Sequence, residues 1–285
     1  MGTNGGCHLF PGGSAGNFPA LGRKVAARRK SPYGFVYSET LGTSALLTRA
    51  ATTHGNGVQP PTPPLAGYLP SAAVRRILIV GAGGFGREVV HWARDAWPDH
   101  AALIAGFLSA DADILASHDC PLPVVSDPAS FAPQPGDALV LAIGIPGTRR
   151  RVAEDLLARG AEFLTLIHPS AIVAATDSVG HGSVVCPGAI VSDAARIGSF
   201  GLVNYHASLA HDSAIGDFAV LSPYATLAGG ASVAADAFLG LHASVGPGIA
   251  VGPRSKIAAN SCALADVPAD SLVLGVPGRT SPLLT

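Results

Sequence analysis

From Val179 to Ile257 an aliphatic residue occupies every sixth position of the chain, fourteen times in succession. Two positions before most of these residues lies a small one, usually Ala or Ser, and Ile249 is the clearest exception. A period of six predicts a parallel β-helix, a prism in which six residues form one side and three sides form a coil. We expect the aliphatic side chains to point inward and the small residues to lie at corners too tight for bulk.

A different pattern precedes this repeat. The run RRILIV at 75–80 predicts a buried strand, which leads directly into the motif GAGGFG at 81–86. Further strands are expected at 102–108, 138–143 and 162–167, with helices at 87–97 and 148–159. Strands that alternate with helices predict a parallel αβα sheet, so the fold class is a Rossmann-like domain followed by a β-helix.

The glycine motif has the GxGxxG spacing of a nucleotide-binding turn. Its first Gly allows the tight turn, the second lets the backbone approach a phosphate, and the third lets the helix pack on the strand. The predicted acceptor-binding residues are Gly81, Gly83, Gly84 and Gly86, with Asp111 after the second strand and Gly144 after the third. The alternative is that these glycines only form a turn. A nucleotide-linked substrate is favoured over NAD because nothing downstream resembles a hydride-transfer site.

Residues 1–74 differ in composition from the rest of the chain. They carry six basic residues and one acid, a net charge of +5, whereas the remainder has a net charge of −6. They also contain 12 Gly and 8 Pro, which predicts disorder. Because Met1 is the only methionine and the globular pattern begins at Val74, we hypothesise that Val74, read from a GTG codon, is the true initiator and that residues 1–73 are an artefact of gene calling. The predicted domains are therefore 75–167 and 168–285.

The overall composition excludes several classes of protein. The whole chain has a net charge of −1, which argues against a nucleic-acid binder. No apolar run reaches the roughly 18 residues of a membrane span. The four cysteines are widely spaced without a CxxC pair, so we expect reduced thiols in a cytoplasmic protein and no zinc-finger site.

A coil of eighteen residues places polar side chains in columns along the prism. His211 falls between Asp193 and Gly229, and Asp212 is its neighbour in sequence. A base, an acid to orient it and an unhindered N–H donor together suit acyl transfer. The sequence does not decide whether Asp212 or Asp193 orients the histidine.

A second column is predicted to contain His206, Tyr224 and His242. These histidines are more simply interpreted as surface or subunit-contact residues.

Residues 75–279 resemble, in order, the bacterial sugar O-acyltransferase family of hexapeptide-repeat proteins. Sialic acid O-acetyltransferases and UDP-4-amino-sugar N-acetyltransferases belong to this family. The resemblance is carried by the glycine motif, LAIG at 141–144 before an Arg-rich helix, LIHPSAIV at 166–173, and the segments 203–223 and 266–279. It implies a left-handed prism, a homotrimer with active sites between subunits, acetyl-CoA as donor, and a nucleotide sugar held by the N-terminal domain.

The resemblance also implies roles for individual residues. His211 matches the catalytic base, Asp212 its acidic support, and Gly229 the backbone N–H that faces the thioester oxyanion. The implied acetyl-CoA-binding residues are Asn204, Gly229, Leu241 and Ala259.

Two departures from the family pattern concern the acceptor sugar. Val220 stands where members often have a second histidine. The second strand of members often ends in paired acids directly after FL, whereas here Ser109 and Ala110 precede Asp111. The choice between O- and N-transfer stays open.

Two other functions are weighed. A metalloenzyme like the γ-type carbonic anhydrases would use His206 and His211, but the third ligand position is Ser170, and zinc needs three protein ligands. A non-catalytic nucleotide-sugar-binding protein could keep the same fold.

Overall fold

The computed structural model describes residues 68–174 and 178–283, and a five-stranded parallel sheet begins this part of the chain. The strand order is β3-β2-β1-β4-β5, with β1 (Arg76–Val80), β2 (Ile104–Leu108), β3 (Val124–Ser126), β4 (Asp137–Leu141) and β5 (Glu162–Phe163). The helices are α1 (Gly84–Ala96), a 3₁₀ helix (Pro98–Leu103) and α2 (Pro146–Leu157). The hypothesis of a start at Val74 falls mainly on residues outside the described ones.

Alternate residues of β1 face opposite sides of the sheet. Ile77 and Ile79 lie in the apolar cluster that contains α1, whereas Leu78 and Val80 lie in the cluster that contains α2. The sheet is therefore a layer between two helices, as the alternating pattern predicts.

The second predicted strand is shorter than expected because its first residues form the 3₁₀ helix. The last predicted strand is divided: β5 pairs with β4, but β6 (Leu166–Ile167) pairs with the β-helix at Val184–Val185. The chain therefore passes from the sheet to the prism between these strands.

The remaining strands form the three sides of a left-handed parallel β-helix, whose last strand pairs antiparallel with the one before it. They are β7 (Ile172–Val173), β8 (Val184–Val185), β9 (Ile190–Val191), β10 (Arg196–Ile197), β11 (Leu202–Val203), β12 (Ser208–Leu209), β13 (Ala214–Ile215), β14 (Val220–Leu221), β15 (Thr226–Leu227), β16 (Ser232–Val233), β17 (Phe238–Leu239), β18 (Ser244–Val245), β19 (Ala250–Val251), β20 (Lys256–Ile257), β21 (Cys262–Ala263), β22 (Ser271–Leu274) and β23 (Arg279–Pro282). The sides contain eight, six and four strands: β6, β8, β11, β14, β17, β20, β22 and β23 form the first, β7, β9, β12, β15, β18 and β21 the second, and β10, β13, β16 and β19 the third.

The hexad pattern is confirmed. All fourteen aliphatic residues of the repeat are buried, and successive strands on one side pair eighteen residues apart, as Leu202 does with Val220. The small residues are also buried, from Ser183 to Ser261, apart from the half-buried Ile249.

The corners have a backbone feature that the sequence did not reveal. Every sixth residue from Gly182 to Asn260 has a φ between 54° and 68°, the left-handed region. Ten of these fourteen residues are not glycine, and they include His206, Asp212 and Tyr224. The turning residue therefore precedes the small buried one, and the small residue faces the interior rather than forming the turn itself.

The αβα domain packs on the eight-stranded side of the prism. Phe85 and Trp92 of α1 contact a cluster that includes Leu202 and Val220, and Val220 is only 2% exposed. The position of the family's second histidine is thus filled here by an apolar residue beneath the N-terminal domain.

Residues just before the sheet contact both parts of the structure. The Tyr68 hydroxyl donates to the carbonyl of Val179 at 3.3 Å, and the Tyr68 carbonyl accepts from the Trp97 indole at 3.1 Å. Among the helices of the described segments, none has the length and apolarity that crossing a bilayer requires.

Candidate active site

A corner of the prism carries His211 and Asp212, directly after β12. His211 Nδ1 lies 2.8 Å from Asp212 Oδ2, and the two side chains are 71% and 68% exposed. Adjacent residues can meet in this way because Asp212 has left-handed backbone, with a φ of 59°. Asp193 is joined to Asp212 through its backbone carbonyl, so Asp212 is the acid that pairs with the ring.

This pairing determines which ring nitrogen of His211 can act as a base. A carboxylate only accepts hydrogen bonds, so Nδ1 carries the proton in the neutral ring and Nε2 has the free lone pair. The exposed Nε2 can therefore take a proton from a bound nucleophile.

Gly229 lies one coil further on, beneath the imidazole of His211. A methyl group at this position would be 2.6 Å from Cε1 and 2.7 Å from Nε2 of His211, so the ring keeps its place only above a glycine. Within the described residues, the N–H of Gly229 has no acceptor. The site therefore combines a base with an unused backbone donor beside it.

Three of the four residues implied in acetyl-CoA binding, Asn204, Leu241 and Ala259, lie at a different corner, whereas Gly229 lies beside His211. Asn204 precedes β12, whereas His211 follows it, so the two occupy opposite edges of the six-stranded side. Leu241, which is 49% exposed, shares the Asn204 corner with Ala259 one coil further on. One chain alone does not bring these residues to His211.

The same corner carries the predicted ring column, and the column is confirmed. The rings of His206 and Tyr224 stack 5.0 Å apart, and those of Tyr224 and His242 stack 4.8 Å apart. His206 thus lies at a different corner from His211. In the part of the chain that the structure describes, no three His, Cys, Asp or Glu side chains form a group that could hold a metal ion.

The glycine motif forms the turn between β1 and α1. Gly81 has a φ of 108°, and a side chain on Gly86 would collide with the carbonyl of Gly81. Gly83 and Gly144 face open space, as backbone that approaches a ligand must. Asp111 accepts a hydrogen bond from the N–H of Asp113 at 3.0 Å. The geometry of the turn is as predicted, and ligand binding by these residues stays a prediction.

A cleft of about 340 Å³ opens where β1, β2 and β4 end. Of the predicted acceptor-binding residues, only Gly81 lines this cleft. The polar side chains of its lining come from Ser109, Asp127, Thr148, Arg151, Asp155 and Arg159. Ligands of open parallel sheets bind at the carboxyl ends of strands where the order reverses, here between β1 and β4. That rule, applied to the Arg-rich helix, could have identified α2 as part of the site.

Three consecutive arginines of α2 point in three directions. Arg149 is fully buried, and its guanidinium donates to the carbonyls of Leu141, Ile143, Phe200 and Gly201, at 2.7 to 3.4 Å. Burial without a carboxylate partner lowers its pKa to about 9. The helix is thus attached to both the sheet and the prism.

Arg150 contacts the prism through its charge. Its guanidinium is 2.8 Å from Asp236 and 3.0 Å from Glu154, and it lies 4.1 Å above the ring of Phe218. The hydrogen bond that Arg150 donates to Asp236 raises the pKa of Arg150 further above its usual value.

Comparison with known proteins places these features in a family. The PglD N-terminal domain family matches residues 76–156. No curated protein sequence matches the chain. PerB from Caulobacter crescentus, solved with CoA and GDP-perosamine, is 30% identical over 74% of this chain and 100% of its own, with a TM-score of 0.64.

Two other solved structures are similar over the same part of the chain. The acetyltransferase domain of PglB from Neisseria gonorrhoeae FA1090, solved with acetyl coenzyme A, is 26% identical over 73% of this chain and 100% of its own, with a TM-score of 0.64. WeeI from Acinetobacter baumannii AYE is 26% identical over 72% of this chain and 99% of its own, with a TM-score of 0.64. The chain is therefore an acyltransferase that belongs to the hexapeptide-repeat family of sugar acetyltransferases.

Proposed function

We propose that this protein transfers an acetyl group from acetyl-CoA to an amino or hydroxyl group of a nucleotide-linked sugar, in the synthesis of a surface glycan. The observation that carries the proposal is the His211–Asp212 pair beside the unused N–H of Gly229. PglB bound to acetyl coenzyme A and PerB bound to GDP-perosamine support the donor and the class of acceptor. The cytoplasm is the proposed location because the widely spaced cysteines predict reduced thiols.

In this mechanism His211 Nε2 takes a proton from the acceptor as its nitrogen or oxygen attacks the thioester carbonyl. The N–H of Gly229 stabilises the negative charge that forms on the carbonyl oxygen. Collapse of the tetrahedral species breaks the carbon–sulfur bond, and the thiolate of CoA takes the proton back from the imidazolium. Asp212 holds the ring in the required tautomer and stabilises its cationic form.

Transfer is direct in this proposal, without an acyl-enzyme. Ser213 is the nearest hydroxyl in sequence, but its side chain points into the prism and donates to the carbonyl of Ala210 at 2.6 Å. It is therefore not available as a nucleophile.

The complete site is proposed to form between subunits of a homotrimer. His211 and Gly229 lie at one edge of the six-stranded side, whereas Asn204, Leu241 and Ala259 lie at the other. Copies arranged with this side inward would bring one edge of each subunit to the opposite edge of the next. The outward residues of its strands are uncharged: Ile172, Ile190, Ser208, Thr226, Ser244 and Cys262.

The test is a CoA-release screen against UDP- and GDP-linked amino sugars, CMP-sialic acid and free sugars, with product analysis by mass spectrometry. We expect release with one class of nucleotide-linked sugar, and loss of it in His211→Ala. Binding of acetyl-CoA without transfer to any acceptor would instead favour a non-catalytic nucleotide-sugar-binding protein.

A further inference from the structure

We propose that Arg151 binds a phosphate group of the nucleotide-linked acceptor, and that Arg149 is the residue that positions Arg151. The inference rests on the proposed function, because it concerns the site that would hold the acceptor. It assigns the recognition of the diphosphate to α2, in addition to the glycine turn.

Among the described residues, Arg151 differs from the other arginines of α2, and from Arg159 just after it, in having no partner. Arg149 donates to four carbonyls, Arg150 pairs with two acids, and Arg159 donates to the carbonyls of residues 128, 129, 131 and 155. Within residues 68–174 and 178–283 the guanidinium of Arg151 makes no hydrogen bond or ion pair, yet it lines the cleft. A planar, permanently charged group with free N–H donors is suited to a phosphate.

The other polar groups of the cleft suit the rest of a nucleotide. Asp127 and Asp155 line the same cleft, and carboxylates bind hydroxyl groups rather than phosphates. Thr148 and Ser109 add hydroxyl groups, and Ile143 adds apolar surface. A nucleoside diphosphate presents hydroxyls, a flat base and two phosphates, which is the mixture that these side chains can recognise.

Arg149 fixes the position of one wall of the cleft relative to the prism. It bonds to the carbonyls of Leu141 and Ile143 at 2.9 Å, and Ile143 lines the cleft. Its Nε donates to the carbonyl of Phe200, a corner residue of the β-helix, at 2.7 Å. The same side chain thus links the end of β4, the helix that carries Arg151 and the domain that carries His211.

The first experiment measures binding of UDP and GDP by calorimetry. We expect Arg151→Gln to weaken binding of the recognised nucleotide about 10- to 100-fold, because a charged hydrogen bond is lost. Arg94→Gln is the matched control, since Arg94 is also unpartnered among the described residues but lines a different cleft beside α1. Equal binding by wild type and Arg151→Gln, or no binding of either nucleotide by wild type, would overturn the assignment.

The second experiment separates binding from positioning by lysine substitution. Arg151→Lys keeps a charge for the phosphate, so we expect it to recover much of the KM that Arg151→Gln loses. Arg149→Lys cannot bridge four carbonyls, so we expect a raised KM for the nucleotide-linked acceptor, with an unchanged KM for acetyl-CoA. If lysine restores the acceptor KM at neither position, or restores it equally at both, the division between a binding role for Arg151 and a positioning role for Arg149 is contradicted.

Failure of this inference can be distinguished from failure of the proposed function. Loss of transfer to a free amino sugar in the variants would mean general damage, whereas no transfer to any acceptor by wild type would refute the function itself. If Arg149→Lys does not fold, Arg150→Gln tests the same attachment, because it removes the Asp236 contact at a half-exposed position. A normal acceptor KM in that variant would count against positioning by α2.

Discussion

The imidazole of His211 lies over the backbone of Gly229, one coil away, and the two residues form opposite halves of the candidate site. The relationship depends on the absence of a side chain at 229, since a Cβ would be 2.6 Å from the ring. Gly229 has no left-handed φ, so its conformation does not require glycine, and the need for glycine comes from the ring alone.

Gly229→Ala should therefore damage activity without damaging the fold. The added methyl group displaces the exposed ring, and a displacement of about 1 Å can cost about a hundredfold in rate. We expect kcat to fall by this order while the thermal unfolding temperature stays within a few degrees. A variant with normal kcat would show that the ring does not need this position.

His211→Ala should lose most of the transfer activity and keep its oligomeric state, as measured by CoA release and sedimentation. The exposed side chain contributes little to packing, so the loss would be chemical. Near-normal turnover with the proper acceptor would refute the assignment of the base.

Asp212→Asn should reduce kcat about 10- to 100-fold, at or below the lower end of the usual contribution of general-base catalysis, because His211 itself is kept. Asn tolerates left-handed backbone, so the corner is kept and only the charge that supports the imidazolium is removed. Asp193→Asn is the comparison, because Asp193 meets Asp212 only through its backbone carbonyl. Equal effects of the two substitutions would contradict the pairing of Asp212 with His211.

Arg149→Met should destabilise the protein by about 3 kcal/mol, because charged hydrogen bonds are lost and buried carbonyls remain without donors. Chemical denaturation measures this change. Arg151→Met, at an exposed position of the same helix, should change the free energy of unfolding by less than about 0.5 kcal/mol.

The ion pair between Arg76 and Asp137 should make the free energy of unfolding depend on pH in the acidic range. The hydrogen bond from Arg76 lowers the pKa of Asp137, so the pair stabilises the folded state above the ordinary pKa of an aspartate, and the contribution is lost as the pH falls through the lowered value. We expect about 1 kcal/mol, reduced by solvent screening of the half-exposed Arg76. Denaturation of Asp137→Asn should show a smaller difference between pH 7 and pH 3 than wild type.

Thr226→Arg should separate the proposed trimer, because it places a charge in the centre of the six-stranded side. Ser232→Arg is the matched control on the four-stranded side, where the residue is also exposed. Sedimentation should show smaller particles and lost transfer only for Thr226→Arg. Dissociation by Ser232→Arg alone would assign the subunit contact to the other side.

The prism could be predicted from the sequence because its period is strict. Eighteen-residue spacing was sufficient to place the ring column of His206 and Tyr224, and to put His211 beside Gly229. It could not choose between Asp212 and Asp193, since the choice depends on the left-handed backbone of one corner.

Other features depend on contacts that are distant along the chain. Arg149, Arg150 and Arg151 have the same side chain and adjacent positions, and only their partners on the sheet and the prism distinguish them. β3 was missed because it has three residues, none of them buried, so it carries little pattern.

The regular left-handed corners, one in every six residues from Gly182 to Asn260, also limit how this protein can change in length. Inserting or deleting a single residue within a coil would put every later side chain out of phase, turning the buried aliphatic residues toward solvent. Such a change can be absorbed only as a loop that protrudes at a corner. Elongation of the prism itself is restricted to whole coils of eighteen residues. A coil added between β12 and β15 would separate His211 from Gly229, the proposed base and the proposed oxyanion donor.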